Sequence, residues 1–273
     1  MVRSLWSAAS GMKAQQTSVD VIANNIANVN TTGYRAQVAQ FKTLLYQTLR
    51  EEATTANGDP KPTSAQVGLG TRIASINSSF KTGAFLASEN TNALAISGDG
   101  FFGITVGDQT MYTRAGDFNW SLTAGGERIL TTNDGYPVQD TTGAQIVLPN
   151  GVSADAVTYG DDGSIGYRGP DGNQVLTGQK VGLWQFNNRT GLEKVSNTMF
   201  RETMASGEPI PEEGAGAGGL TPSTIVSGYL EGSNVNVADE MVNLIVAQRA
   251  YELNSKAITT SDSMLDTANQ LKR

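Results

Sequence analysis

The chain has 273 residues, 38% of them apolar, and a formal net charge of −7. It contains neither cysteine nor histidine, which excludes a disulfide framework, a thiolate nucleophile, a histidine-ligated zinc and a Ser-His-Asp triad. No run of about eighteen apolar residues occurs, and no basic segment precedes an apolar stretch. The sequence therefore predicts neither a membrane span nor a cleaved secretory signal. Most of the acidic charge lies in residues 46–233, which disfavours nucleic acid and anionic lipid as partners.

A seven-residue repeat of apolar residues marks each end of the chain. Its members are Leu5, Met12, Val19 and Ile26 in the first stretch, and Val237, Leu244, Tyr251, Ile258 and Leu265 in the second. A helix with such a stripe has a seam that another helix covers, so we predict that the two terminal helices pair. The alternative is that each stripe belongs to the core of its own domain.

Local signals set the ends of these helices. The first is predicted from about Ser4 to Val29, and Asn24, Asn25 and Asn28 make its second half a poor helix former. On its own it should be marginally stable. The second helix is predicted to begin after Asn236 as N-cap.

Between the helices the sequence changes character three times. Residues 37–50 have apolar residues on one side and predict a short helix, and residues 51–70 are rich in Thr, Asn, Pro and Gly and predict an extended connector. From residue 71 to about 205, short apolar runs alternate with turn signals such as Asp161-Asp162-Gly163, Asn133-Asp134-Gly135 and Pro170-Asp171-Gly172. These predict antiparallel hairpins. A loop is predicted for 206–233.

Two sequence patterns could indicate a cofactor-binding or catalytic site. Residues 214–219 satisfy G-x-G-x-x-G, but no strand precedes them and Pro222 follows, so we interpret them as a flexible loop rather than a dinucleotide site. A glycosidase uses two carboxylates, and Asp161 and Asp162 could in principle serve as such a pair, but adjacent acids in a turn are usually solvated. No catalytic, cofactor or metal site is predicted.

Several motifs resemble those of the flagellar rod and hook proteins, the axial subunits of the bacterial flagellum. The residues that carry the resemblance are Ala23 to Tyr34, Gly98 to Phe102, Tyr112 to Gly116, Ser233 to Met241 and Gln248 to Asn254. The resemblance spans nearly the whole chain. The opening Arg3-Ser4-Leu5-Trp6 and the run 46–50 with the connector after it are more similar to rod than to hook proteins.

The resemblance implies an α+β fold, in which paired N- and C-terminal helices form a coiled-coil-like assembly domain and the centre is an antiparallel all-β domain. The predicted segments are an assembly helix (1–35), a short helix and connector (36–70), an outer β domain (71–205), a loop (206–233) and a second assembly helix (234–273). It also implies a structural subunit of a rigid helical tube that transmits torque and passes exported subunits. A hook protein is the alternative within the family, and a secreted carbohydrate-active enzyme is the alternative outside it.

The implied partners are further copies of the chain, other rod proteins, the hook protein, the flagellar export apparatus and, where they exist, surrounding rings; nucleic acid and membrane insertion are not implied. Export without a cleaved signal would place the subunit in the basal body. Gly33 is either a helix C-cap or part of a joint between subunits, and the cap is favoured. The residues assigned to self-assembly are Leu5, Met12, Val19, Asn24, Asn25, Ile26, Asn28, Gly33, Val237, Met241, Leu244, Tyr251, Ile258 and Leu265.

Overall fold

The computed structural model describes residues 2–50, 65–123, 125–149, 152–169, 173–196, 198–212 and 221–271. The chain divides into two compact units. Unit 1 comprises Met1–Ala27, Gln37–Asn77 and Asn236–Arg273, and unit 2 comprises Asn28–Ala36 and Ser78–Val235. None of the helices in the described ranges is both long and apolar enough to cross a bilayer.

Unit 1 contains both long helices and two pairs of strands. Its elements are α1 (Val2–Ala27), β1 (Gln37–Thr43), β2 (Tyr46–Arg50), β3 (Ala65–Gly68), β4 (Thr71–Ser78) and α2 (Val237–Gln270). The helices pack side by side and antiparallel. Asn25 Nδ2, near the end of α1, lies 3.3 Å from Glu240 Oε1 at the start of α2. A Cβ atom at Gly11 would lie 2.9 Å from Asn254 Nδ2, much further along α2.

The predicted helix ends agree closely with the structure. Helix α1 covers Val2–Ala27, about two residues earlier at each end than the sequence predicts. The Asn236 side chain caps α2 by accepting a hydrogen bond from the backbone N–H of Ala238, at 3.1 Å. Asp239 and Glu240 lie in the first turn, where the helix dipole favours negative charge. The predicted N-cap is thus confirmed.

The short helix predicted for 37–50 is wrong, because this segment forms β1 and β2. Strand β1 pairs with β4, and β2 forms an antiparallel hairpin with β3. The Asn25 side chain holds the start of β1 extended: its Oδ1 accepts from the Gln37 N–H at 2.9 Å, and its Nδ2 donates to the Gln37 carbonyl at 2.8 Å. These long-range bonds outweigh the local helical spacing of apolar residues. The connector residues 51–64 lie outside the described residues.

Unit 2 is built from antiparallel strands, as predicted for the centre of the chain. They are β5 (Phe85–Ala87), β6 (Leu94–Ser97), β7 (Phe101–Val106), β8 (Gln109–Thr113), β9 (Phe118–Leu122), β10 (Arg128–Thr132), β11 (Val147–Leu148), β12 (Val157–Tyr159), β13 (Ser164–Arg168), β14 (Gln174–Lys180), β15 (Leu183–Gln185), β16 (Glu193–Lys194), β17 (Met199–Arg201), β18 (Ile210–Pro211), β19 (Thr224–Ser227) and β20 (Tyr229–Glu231). The largest sheet has the order β16-β17-β8-β7-β15-β18. Two three-stranded sheets, β11-β10-β9 and β12-β13-β14, and the pairs β19-β6 and β20-β5 complete the unit.

The six-stranded sheet is buried on both faces. Because side chains alternate along a strand, Phe101 enters one apolar cluster and Phe102 the other, both fully buried. Phe101 lies in an aromatic cluster with Tyr112 and Phe200, whereas Phe102 lies in a larger aliphatic cluster and makes an edge-on contact with Phe118 at 5.0 Å. Unit 2 therefore has a core of its own on each side of the sheet.

The predicted turns and loops have mixed outcomes. Gly163, with a φ of +80°, closes the turn between β12 and β13, which confirms the Asp161-Asp162-Gly163 hairpin. Strands β13 and β14 pair as predicted, although their turn at 170–172 lies outside the described residues. The loop predicted for 206–233 is wrong in part, since β18, β19 and β20 form there through pairing with distant strands. The glycine motif at 214–219 lies outside the described residues.

Candidate assembly surface

Helix α2 is long and largely uncovered. Of its 34 residues, Ala247 is buried, and no other described residue of the helix is. Six large apolar side chains on it are more than half exposed: Met241, Val242, Ile245, Val246, Leu253 and Met264. Single exposed apolar residues are ordinary, but a row of them along one helix is typical of an interaction surface.

The apolar repeat predicted for α2 lies mainly on the side that faces α1. Leu244, Ile258 and Leu265 are half-buried, whereas Tyr251 is 42% and Val237 39% exposed. Met241, also assigned to assembly, is 55% exposed and belongs to the outer row. The helix thus has an inner stripe that α1 partly covers and an outer row that unit 1 leaves open.

The most buried face of α1 differs from the predicted stripe. Ala8, Gly11, Ala14, Val21 and Ile22 are buried. The predicted stripe members are half-buried; they are Leu5, Met12, Val19 and Ile26. Small residues permit close approach of the neighbouring backbone, and this moves the longer side chains to the flank of the contact. Val19 lies there beside Tyr251, in a cleft of about 530 Å³ along the helix pair.

Strands β1 and β2 extend the exposed apolar surface of unit 1. Val38, Phe41, Leu45, Tyr46 and Leu49 are between 40% and 85% exposed. A two-stranded hairpin such as β2-β3 has little stability without further packing. The surface that we define as the assembly surface consists of this strand surface and the outer row of α2.

The three asparagines assigned to contacts between subunits have different environments. Asn25 is only 1% exposed, and its amide bonds to Gln37 and Glu240 of the same chain. Burial raises the pKa of Glu240, and the bond from Asn25 partly offsets that rise. Asn28 is buried in unit 2 and its Oδ1 accepts from the Thr31 hydroxyl, while Asn24 is exposed. The structure thus gives Asn25 a role within unit 1, and a role for it between subunits stays a prediction.

Gly33 is not a helix cap, since α1 already ends at Ala27. It has a φ of +70°, in the left-handed region that favours glycine. A Cβ atom there would lie 2.4 Å from the backbone nitrogen of Ala115. Gly33 is therefore required by close backbone approach inside unit 2, and the expected C-cap is wrong.

A buried charge cluster in unit 2 was not predicted from the sequence. Arg35, Arg114 and Glu231 have side chains 0–1% exposed, and Glu231 lies between the two guanidinium groups at 2.7 Å from Arg35 and 3.3 Å from Arg114. Burial lowers the pKa of Arg114 to about 10, and Glu231 partly offsets that shift. Arg114 also lies over the Phe101 ring, 5.3 Å from its centroid. Arg35 and Arg114 stand in or beside motifs of the family resemblance, but their shared partner is more than a hundred residues away in the sequence.

The described residues hold no group of three or more acidic, histidine or cysteine side chains with the placement of a metal site. Asp162, one of the paired turn acids, bonds to the Ser164 hydroxyl and to Lys180, and these bonds lower its pKa. Hydrogen bonding of this kind stabilises a turn. It does not give the protonated acid that a glycosidase needs.

Comparison with known proteins identifies the family. The profile described as "Flagella basal body rod protein" matches residues 5–35, "Flagellar hook protein FlgE/F/G D1 domain" matches 95–167, and "Flagellar basal body rod FlgEFG protein C-terminal" matches 226–271. These matches cover most of α1, strands β7 to β12 together with Arg114, and α2.

Full-length relatives agree with the profiles. The chain is 40% identical over 279 residues to the flagellar basal-body rod protein FlgG of Borreliella burgdorferi, and 40% identical over 273 residues to FlgG of Bacillus subtilis, with 100% of both chains covered in each case. It is 38% identical over 274 residues to FlgG of Buchnera aphidicola, with 99% of this chain and 100% of the relative covered. The chain therefore belongs to the flagellar basal-body rod protein family, whose members are structural components of the flagellar axis.

Proposed function

We propose that this chain is the structural subunit of the distal rod, and that it polymerises into a rigid helical tube that transmits torque and passes exported subunits. The observation that carries the proposal is the assembly surface, above all the outer row of α2. A 34-residue helix with one buried residue among those described obtains only part of its stability from contacts with α1. Neighbouring copies would supply the missing contacts.

The energetics favour a polymer of repeated contacts. Complete burial of one large aliphatic side chain contributes about 1.5–3 kcal/mol, so the outer row of α2 alone offers several such increments to each subunit. A head-to-tail contact that does not close into a ring repeats along a helix. Stiffness then results from many identical contacts, each of modest strength.

The predicted stripe residues enter this proposal in two groups. The inner stripe of α2, with Leu244, Ile258 and Leu265, and the flank of α1, with Met12 and Val19, would form the coiled-coil-like pair within a subunit. The outer row, with Met241, would face a neighbour. Marginal helices of this kind can be exported unfolded and then fold at the growing end of the tube.

Rod is favoured over hook because the relatives that cover the whole chain at 38–40% identity are named rod proteins. The exposed β2-β3 hairpin supports the same choice, since it brackets the connector whose sequence is more similar to rod than to hook proteins. Other rod proteins, the hook protein and the export apparatus are the partners that this role requires.

The substitution Ile245→Asp tests the proposal. Ile245 is 56% exposed on the outer row, so a carboxylate there should leave the unassembled subunit intact. In a polymer the same carboxylate would be buried without a partner, at a cost of several kcal/mol. We expect an unchanged melting curve for the unassembled subunit, no tubes by electron microscopy at high concentration, and loss of motility.

Leu176→Asp is the matched control, because Leu176 is similarly apolar and 66% exposed but lies on β14 of unit 2. It should assemble normally. The proposal fails if Ile245→Asp forms tubes like the unmodified chain. A large fall in melting temperature of the unassembled Ile245→Asp subunit would instead show that this face belongs to the folded core.

A further inference from the structure

Glu231 is at the centre of the buried charge cluster and binds three separate parts of unit 2. Its Oε1 accepts from Arg35 Nη2 at 2.7 Å and from the backbone N–H of Gly83 at 3.0 Å. Its Oε2 accepts from Arg114 Nη1 at 3.3 Å. The Glu231 backbone carbonyl also accepts from the N–H of Gly33, at 2.7 Å.

The segments joined in this way are the ones that carry the chain to the two helices. Residues 28–36 directly follow α1, and residues 232–235 lead from β20 towards α2. Further bonds connect them: the N–H of Ala36 donates to Asn234 Oδ1 at 2.7 Å, and the Asn234 side chain donates to the Ser79 carbonyl at 2.7 Å. Residues 33–36 are all buried.

A carboxylate between two guanidinium groups makes this connection depend on a single residue. Two buried cations share one anion, and Arg35 Nε and Nη1 and Arg114 Nε have no hydrogen-bond partner among the described residues. Buried ion pairs add little net stability, because desolvation cancels most of the attraction, but removal of one partner leaves an uncompensated charge at high cost. Their geometry is directional, so they fix one arrangement of the joined segments.

We propose that Glu231 acts as a lock: by bridging Arg35 and Arg114 it keeps residues 28–36 and 229–235 folded on unit 2, whether or not α1 and α2 are folded. With this attachment, the helices could fold against neighbouring copies on assembly while the residues that join them to unit 2 stay fixed. It would also give the two segments that transmit force a firm attachment to unit 2.

Hydrogen exchange on the full-length, unassembled chain tests this, with the state of assembly checked by sedimentation. The amides of Gly33 to Ala36 should exchange as slowly as those of β7 and β8, and far more slowly than those of α1 and α2. In Glu231→Gln, which preserves shape and removes the charge, exchange at 33–36 should rise about a hundredfold or more. The amides of β7 and β8 should stay unchanged.

Glu193→Gln is the control, because Glu193 forms an exposed ion pair with Arg201 in the same unit, and it should change neither set of amides. Arg35→Gln is a second test variant that leaves a neutral Glu231–Arg114 pair, and it should accelerate exchange at 33–36 alone. The proposal is overturned if 33–36 exchange as fast as α1 in the unmodified chain. Equal acceleration throughout unit 2, or failure of both variants to fold, would also overturn it, since the cluster would then support the whole unit. None of these three outcomes depends on tube formation.

Discussion

The two units use apolar residues in opposite ways. In unit 2, Phe101, Phe102, Phe118 and Phe200 have no exposed surface, and both faces of the main sheet are covered. In unit 1, α2 has a single buried residue among those described, and Leu253 is 69% exposed. The difference teaches that apolar content alone does not indicate a core. The apolar residues of unit 2 pack against one another within the chain. We infer that many of those in unit 1 pack against other copies of the chain.

Limited trypsin digestion of the unassembled subunit should give the largest contrast between the units. Cleavage requires local unfolding, which costs little in a helix that lacks partners and approaches the global free energy of unfolding, about 5–15 kcal/mol, in a core. Lys256 on α2 should therefore be cut orders of magnitude faster than Arg114 in unit 2. In assembled tubes the Lys256 site should become resistant.

Arg128 is the control site in this digestion, because it shows whether an exposed side chain is enough for cleavage or whether local unfolding is needed. Its side chain is exposed like that of Lys256, but it lies in β10, which pairs with both β9 and β11. The cleavage rates are measured by mass spectrometry of the fragments. Slow cleavage at Arg128 and fast cleavage at Lys256 would show that unit 2 is folded while α2 opens easily. If Lys256 is as resistant as Arg128 in a verified monomer, α2 is stable without neighbours and the two units do not differ in this way.

The sequence was sufficient where local signals decide the structure. Asn236 with Asp239 and Glu240 predicted the start of α2, and the glycine at 163 predicted a hairpin. The sequence-based prediction was wrong for β1 and β2 for two reasons. The apolar spacing of Val38 and Phe41 suggested a buried helix face, but both side chains are exposed. The bonds from Asn25 to Gln37 join residues of different elements, so local sequence does not indicate them. The assignment of the helix seams to assembly stays a prediction.

The buried charge cluster was missed for a related reason. Glu231 lies 196 residues from Arg35 and 117 from Arg114, and neither a period nor a spacing connects them. Gly33 lies in a motif that carries the family resemblance, and Arg35 directly follows it. That motif indicated importance without indicating which distant residue completes the site.

Truncation of one apolar side chain in each unit should have very different effects on the free energy of unfolding. Phe102→Ala removes a fully buried ring from unit 2 and should lower the free energy of unfolding by about 3–5 kcal/mol. Leu253→Ala removes an exposed side chain from α2 and should change it by less than about 0.5 kcal/mol. Urea unfolding followed by near-ultraviolet circular dichroism measures both. Equal losses for the two variants would show that α2 contributes to the same cooperative core.

Lys194 provides the smallest test, and it concerns the attachment of residues 28–36 within unit 2. Its ammonium group lies 4.0 Å from the centroid of the Tyr34 ring and donates to the Arg35 carbonyl at 3.3 Å. Burial lowers the pKa of Lys194 from 10.5 to about 8. Between these two pH values the unfolded chain binds more protons than the folded chain, so the free energy of unfolding of unit 2 should rise with pH.

The gain should stay below about 1 kcal/mol, because Lys194 is only half-buried and solvent screens its charge. The measurement is urea unfolding between pH 8 and 10, since above that range the lowered pKa of Arg114 and the raised pKa values of the buried Tyr112 and Tyr159 also contribute. In Lys194→Met, which keeps the aliphatic stem, the increase should be absent, whereas Lys180→Met, at an exposed lysine of β14, should retain it. The stability of the unmodified chain could instead depend on pH no more than that of Lys194→Met. In that case the Tyr34 ring and the Arg35 carbonyl stabilise the charged ammonium as much as burial destabilises it. Lys194 would then strengthen the attachment of residues 28–36 at every pH in this range.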